Sequence, residues 1–101
     1  LLGSKILGGK KEMEKGKIIT EVIFKKDKRD NTITAFFPYE PANRGNILCY
    51  EHIGQHAEAG YDYYYSCQKA KPEEYKSLFN ELENIVGYNL KVIQKINHKR
   101  V

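Results

Sequence analysis

Pro72 to Gly87, PEEYKSLFNELENIVG, decides the fold class. Tyr75, Leu78, Phe79, Leu82, Ile85 and Val86 recur at i, i+3, i+4, i+7, i+10 and i+11, which lines one side of an α-helix with apolar groups. Proline suits the first helical position, where an N–H would lack a partner anyway. Glu73 and Glu74 complement the helix dipole there. Gly87 is a natural stop, because many helices end on a left-handed residue and glycine takes that conformation without strain. A helix with one apolar stripe needs a sheet or another helix to cover it.

The flanking residues read as strands. Lys17 to Lys25 (KIITEVIFK) is rich in β-branched residues, with Ile18, Thr20, Val22 and Phe24 on one face and Ile19, Glu21 and Ile23 on the other. Both faces carry apolar groups, which predicts a central strand. Lys26 to Asn31 (KDKRDN) is a charged turn, and Thr32 to Phe37 (TITAFF) completes a hairpin. Pro38 to Gly45 holds two prolines and a glycine and reads as an irregular loop. Asn46 to Ile53 predicts a third strand, Gly54 to Gly60 a flexible connection, and Tyr61 to Cys67 (YDYYYSC) a fourth strand, since tyrosine packs well on a pleated surface. Beyond the helix, Tyr88 to Ile96 reads as a last strand that returns alongside an early one. The β-β-β-β-α-β order predicts an α+β fold: a mostly antiparallel sheet of four or five strands with one amphipathic helix on one face.

The chain of 101 residues corresponds to one domain. Residues 1–16 read as a disordered linker or a cloning remnant ahead of Met13, and residues 17–101 as a single α+β domain. No apolar run approaches the roughly 20 residues that a membrane span requires. The expected setting is the cytoplasm of a bacterial cell, with no membrane partner and with Cys49 and Cys67 as thiols. The net charge is +4, but residues 1–12 carry three lysines and one glutamate, so the remainder is only mildly basic.

Chemistry concentrates between Ile47 and Cys67, ILCYEHIGQHAEAGYDYYYSC, which holds both cysteines, His52, His56 and five of the eight tyrosines. Cys49, His52, His56 and Cys67 are the weak candidates for a zinc site, at spacings unlike the common zinc fingers. A Cys–His catalytic pair oriented by Glu51 or Glu58 is the corresponding enzymatic reading. No nucleophile elbow, H-E-x-x-H or phosphate-cradling glycine loop supports it. Neither a metal nor a cofactor is therefore expected, and no catalytic residue is assigned. In a strand, Tyr61, Tyr63 and Tyr65 would share a face able to stack bases or meet a protein. Two basic groups, Lys25, Lys26, Lys28 and Arg29 at the hairpin and Lys95, His98, Lys99 and Arg100 at the end, would merge if the first and last strands are neighbours.

The segments EVIFKK with TAFFPYEPAN, YEHIGQHAEAGY, and KPEEYKSLFNELENIVGYNLKVI together resemble a family of small hypothetical proteins from bacteriophages and bacterial mobile elements. The resemblance spans about residues 17–96 and implies a setting, not a set of catalytic residues. The expectation is a non-enzymatic binding module acting on a host or phage protein, such as a defence component. Arg44, His52, Gln55, His56, Tyr61 and Tyr63 would form its contact surface. The alternatives are nucleic-acid or nucleotide binding through the tyrosines and the basic patch, or a zinc-binding domain. An exposed edge strand would permit a homodimer.

Overall fold

Val22, Ile23 and Phe24 are consecutive, and each is at most 2% exposed. Successive strand residues point to opposite faces, so this strand must be covered on both sides. The computed structural model describes residues 18–52 and 54–101 and shows how this is done. The expectations for residues 1–17 and for Ile53 lie outside the described residues.

The elements are β1 (Thr20–Lys26), β2 (Ile33–Phe37), β3 (Asn46–Tyr50), β4 (His56–Gly60), α1 (Tyr61–Ser66), β5 (Gln68–Lys69), α2 (Pro72–Glu81) and β6 (Leu90–Val92). A π-helical turn, Leu82–Val86, extends α2, and a 3-10 turn, His98–Arg100, follows β6. The strands run β4-β3-β2-β1-β5, and β6 also pairs with β1. All pairings are antiparallel except that of β6, which lies parallel to β1 with Thr20 opposite Leu90 and Val22 opposite Val92. The carbonyls of Val22 and Phe24 accept from Ile93 and Ala70 respectively, so β6 and β5 share one edge of β1. The α+β class and the return of the last strand beside the first are therefore as expected.

Each face has its own core. Val22, Phe24, Ala35, Phe37 and Tyr50 pack under Leu78 and Leu82 of the long helix. Ile23, Phe36, Ile47 and Cys49 pack under Tyr64 of α1, with Tyr61, Tyr63, Ile93 and Ile96 beside them. The sheet is thus covered on both sides, by the expected amphipathic helix on one face and by α1 on the other.

Three expectations need correction. Tyr61–Ser66 is a helix, not a fourth strand. Period 2 groups Tyr61, Tyr63 and Tyr65, but period 3.6 groups Tyr61, Tyr64 and Tyr65 equally well, and the second face of the sheet needs a cover. Tyr64 supplies it, meeting Phe36 edge-on with ring centroids 5.1 Å apart. His56–Gly60, expected as a flexible connection, is the edge strand β4, in register with all of β3. The strand expected over Tyr88 to Ile96 shortens to Leu90–Val92, because β1 offers only Thr20 to Val22 for pairing at that edge.

The long helix starts at Pro72 and stops at Gly87 (φ 106°) as expected. Its apolar stripe does not stay continuous. The amide of Gly87 donates to the Leu82 carbonyl at 2.9 Å, five residues back, and this wider turn rotates later side chains off the stripe. Ile85 is consequently 80% exposed, while Tyr88 swings in to stack on Phe37 at 5.0 Å. Phe36→Ala should cost about 3–5 kcal/mol in urea unfolding. Ile85→Ala should change stability by less than about 0.5 kcal/mol. The reverse order would show that the π turn does not lift Ile85 out of the core.

Candidate functional site

The sheet separates the polar residues into two groups. On the α2 side, the Tyr50 hydroxyl donates to Glu81 Oε2 at 2.6 Å, and His52 Nδ1 lies 2.7 Å from Glu81 Oε1. His56 Nε2 lies 2.8 Å from the Tyr88 hydroxyl, and the His56 ring meets Tyr50 edge-on at 5.0 Å. Donation to Glu81, and then burial, pushes the Tyr50 phenol up to about 12. The same bond, followed by that from His52, holds Glu81 below the usual carboxylate range. Both histidines are exposed; one ring nitrogen of His52 is tied to the last residue of α2, and one of His56 to Tyr88 just beyond the helix stop. Gln55 is exposed between them in the chain.

On the opposite side, α1 and the 3-10 turn carry tyrosines and cations. Lys25 Nζ sits 4.1 Å from the centre of the Tyr64 ring and 5.9 Å from that of Tyr65. Lys69 is the direct cross-strand partner of Lys25, which places both side chains on this face. Burial pulls the Lys25 ammonium below its usual pKa, and the Lys69 charge acts in the same direction. His98 Nε2 lies 2.6 Å from the Tyr65 hydroxyl, and its ring centroid is 6.0 Å from that of Tyr61. Arg100 lies 3.8 Å over the Tyr39 ring and pairs with Glu21 at 2.8 Å. The outcome is a band from Lys25 and Lys69, over Tyr65, to His98, Tyr61 and Arg100. Tyr65 at its centre is 59% exposed.

The six expected contact residues therefore do not form one surface. His52 and His56 belong to the α2 side, whereas Tyr61 and Tyr63 pack against the α1-side core. Arg44 lines a cavity with Tyr61 in the loop between β2 and β3. Tyr63 is structural: its hydroxyl donates to Asp27 Oδ2 at 3.0 Å. The reason for the split is geometric. Tyr50 and Cys49 are neighbours on β3 and face opposite ways, and the elements they carry follow them.

The same alternation parts the zinc and Cys–His candidates. Cys49 and Cys67 are buried, with Cys49 in the α1-side core, while His56 pairs with Tyr50 on the far side. Burial, with Glu51 and Glu58 adding to it, pushes the Cys49 thiol up to about 11. Glu51 accepts from Thr34 and Glu58 from Asn43 and Asn46, so neither orients a histidine. Among the described residues, no group of three or more His, Cys, Asp or Glu side chains is placed to hold a metal ion.

The basic groups also change membership. Lys26 pairs with Glu74 on the α2 side, and Arg29 folds back on Asp27, with Arg29 NH2 2.9 Å from Asp27 Oδ2. What does meet is Lys25 with His98, through Tyr65, helped by Lys69. The helical spacing of Tyr61, Tyr64 and Tyr65 was a signal available for this face. For Lys69 and Tyr39 there was none, because their neighbours are distant in sequence. Among the described residues, no helix is long and apolar enough to cross a membrane. No protein-family model, curated protein or solved structure matches the chain.

Asp27 anchors this face by joining the hairpin turn to α1. The Arg29 side chain and its backbone N–H, together with Tyr63, hold the Asp27 carboxyl well below the usual carboxylate range. A carboxylate with a depressed folded pKa stabilises the fold above its unfolded value, near 4, and loses that contribution as pH falls toward the folded value. Asp27→Asn should therefore lower the melting temperature at pH 7, and the gap to the parent should narrow on acidification below about pH 4. A gap unchanged from neutral to strongly acid solution would show that the charge of Asp27 is not what ties the turn down.

Proposed function

We propose that the protein is a small binding module whose contact face is the tyrosine–cation band on the α1 side, and that its partner is a single-stranded nucleic acid. The observation that carries this reading is the meeting of Lys25 and His98 on the exposed Tyr65 ring. Single strands are held by aromatic rings that stack with bases and by cations that follow the phosphates, and such faces tolerate many sequences. Lys25 and Lys69 supply a modest charge suited to a few phosphates, not the dense basic stripe of a duplex reader. Glu21 on this face is already paired with Arg100, and the Glu51 carboxylate, just beyond β3, accepts a hydrogen bond from the Thr34 hydroxyl. Asp62 is the exposed acid of α1 and limits how closely a backbone follows that helix.

The resemblance to small phage and mobile-element proteins supports the same setting: the cytoplasm of a bacterial host, where single strands arise during replication and transfer.

A second reading keeps a host or phage protein as the partner and places it on the α2 side. The observation in its favour is the exposure of His52 and His56 beside the edge strand β4. The two readings use opposite faces, so substitutions separate them.

Fluorescence anisotropy with a labelled 15-nucleotide strand tests the first. Affinity should fall with salt, with a log–log slope of about −0.7 for each phosphate contacted. Tyr65→Ala should weaken binding by about 1–3 kcal/mol, while the His52→Ala/His56→Ala pair should leave it unchanged. Binding that is absent, or that survives Tyr65→Ala and follows the histidine pair, would overturn the proposal in favour of the α2 side.

A further inference from the structure

At one end of the band the loop between β2 and β3 folds over a cavity of about 410 Å³, lined among others by Tyr39, Glu40, Arg44, Tyr61 and Arg100. That volume lies within the range of small-molecule sites and suits a ligand the size of one nucleotide. Arg100 is held in place by its Glu21 pair and by the Tyr39 ring beneath it. Tyr39 is itself fixed, because its hydroxyl accepts from the Asn97 amide at 2.8 Å. These are preset walls. Arg44 differs from them: it is exposed and makes no hydrogen bond or ion pair among the described residues. A guanidinium left over at the mouth of a cavity walled by tyrosines and a stacked arginine is suited to a terminal phosphate, which it can meet with two parallel N–H bonds. Tyr61 belongs both to this cavity and to the band, through its contact with His98.

We infer that the cavity is a subsite for a nucleoside 5′-monophosphate, with the phosphate on Arg44 and the base against Tyr61. The group arrives either as the 5′-phosphorylated end of a strand lying along the band or as a free nucleotide. The first source rests on the reading of the band as a single-strand face; the second does not. Glu40 is the side-chain carboxylate on the lining, and its charge opposes more highly charged nucleotides more strongly than a monophosphate.

The test uses two otherwise identical 12-nucleotide RNAs, one 5′-phosphorylated and one with a 5′-hydroxyl, together with AMP titrated alone by calorimetry. The phosphorylated strand should bind about tenfold more tightly. Arg44→Gln should bring that ratio to one, with an unchanged melting temperature, since Arg44 is an exposed loop residue. Equal affinity for the two RNAs in the parent protein, or a tenfold ratio that persists in Arg44→Gln, overturns the subsite. It leaves the band intact if the hydroxyl strand still binds with a salt slope. AMP binding lost in Arg44→Gln, with neither RNA bound, supports the cavity as a free-nucleotide site and removes the band. Absence of binding for both RNAs and for AMP refutes both.

Discussion

The two-sided burial of β1 and β2 is the constraint from which the rest follows. Val22 and Phe24 face one way and Ile23 the other, while Phe36 and Phe37 repeat the pattern on the neighbouring strand. All five are at most 2% exposed. Alternation in a strand makes this arrangement costly unless two separate layers cover the sheet, since each buried aromatic or aliphatic side chain is worth about 1.5–3 kcal/mol relative to exposure. The long helix is one layer. The other is assembled from α1, Ile93 and Ile96, which are short pieces with no stability of their own.

That second layer explains the position of the candidate site. Because α1 is only six residues long, it cannot cover its side of the sheet with a broad stripe. Tyr64 goes inward, and Tyr61 and Tyr65 flank it, half-buried and exposed respectively. The chain end must then cross the same side to bring Ile93 and Ile96 onto the core, and it carries His98 and Arg100 with it. These side chains thus arrive on the tyrosines as a consequence of packing. On the α2 side the polar groups are more fully paired, with Glu81 engaged by both Tyr50 and His52, and Glu74 engaged by Lys26 and by the Lys71 amide. The sheet therefore carries two chemically distinct surfaces, one tied up in carboxylate bonds and one rich in aromatic rings and cations.

Much of the framework was legible from local pattern. The β-branched run of β1, the hairpin with its Asp–Asn turn, and the helix bounded by Pro72 and Gly87 each follow from properties of a few adjacent residues. The errors lie where two periods fit the same letters or where pairing is distant. YDYYYS satisfies a strand and a helix alike, and GQHAEAG, with its small residues, looked like a connection although it pairs along the whole of β3. The π turn after Glu81 was likewise hidden, because Ile85 and Val86 continue a regular α-helical pattern. The contact surface expected from His52, His56, Tyr61 and Tyr63 failed for a related reason: nearness in sequence says little about which side of a sheet a side chain takes.

The amino-acid sequence by itself determined the α+β class, the central place of β1 and the ends of the long helix. Hydrophobic period, proline geometry and glycine's left-handed freedom act within a few residues of where they are read. Only the tertiary structure decided that α1 is a helix, that the histidines and the tyrosines part company, and that Lys25, Lys69 and His98 converge near Tyr65. Those outcomes depend on which uncovered sheet face a segment must bury, and that demand comes from residues up to several dozen positions away.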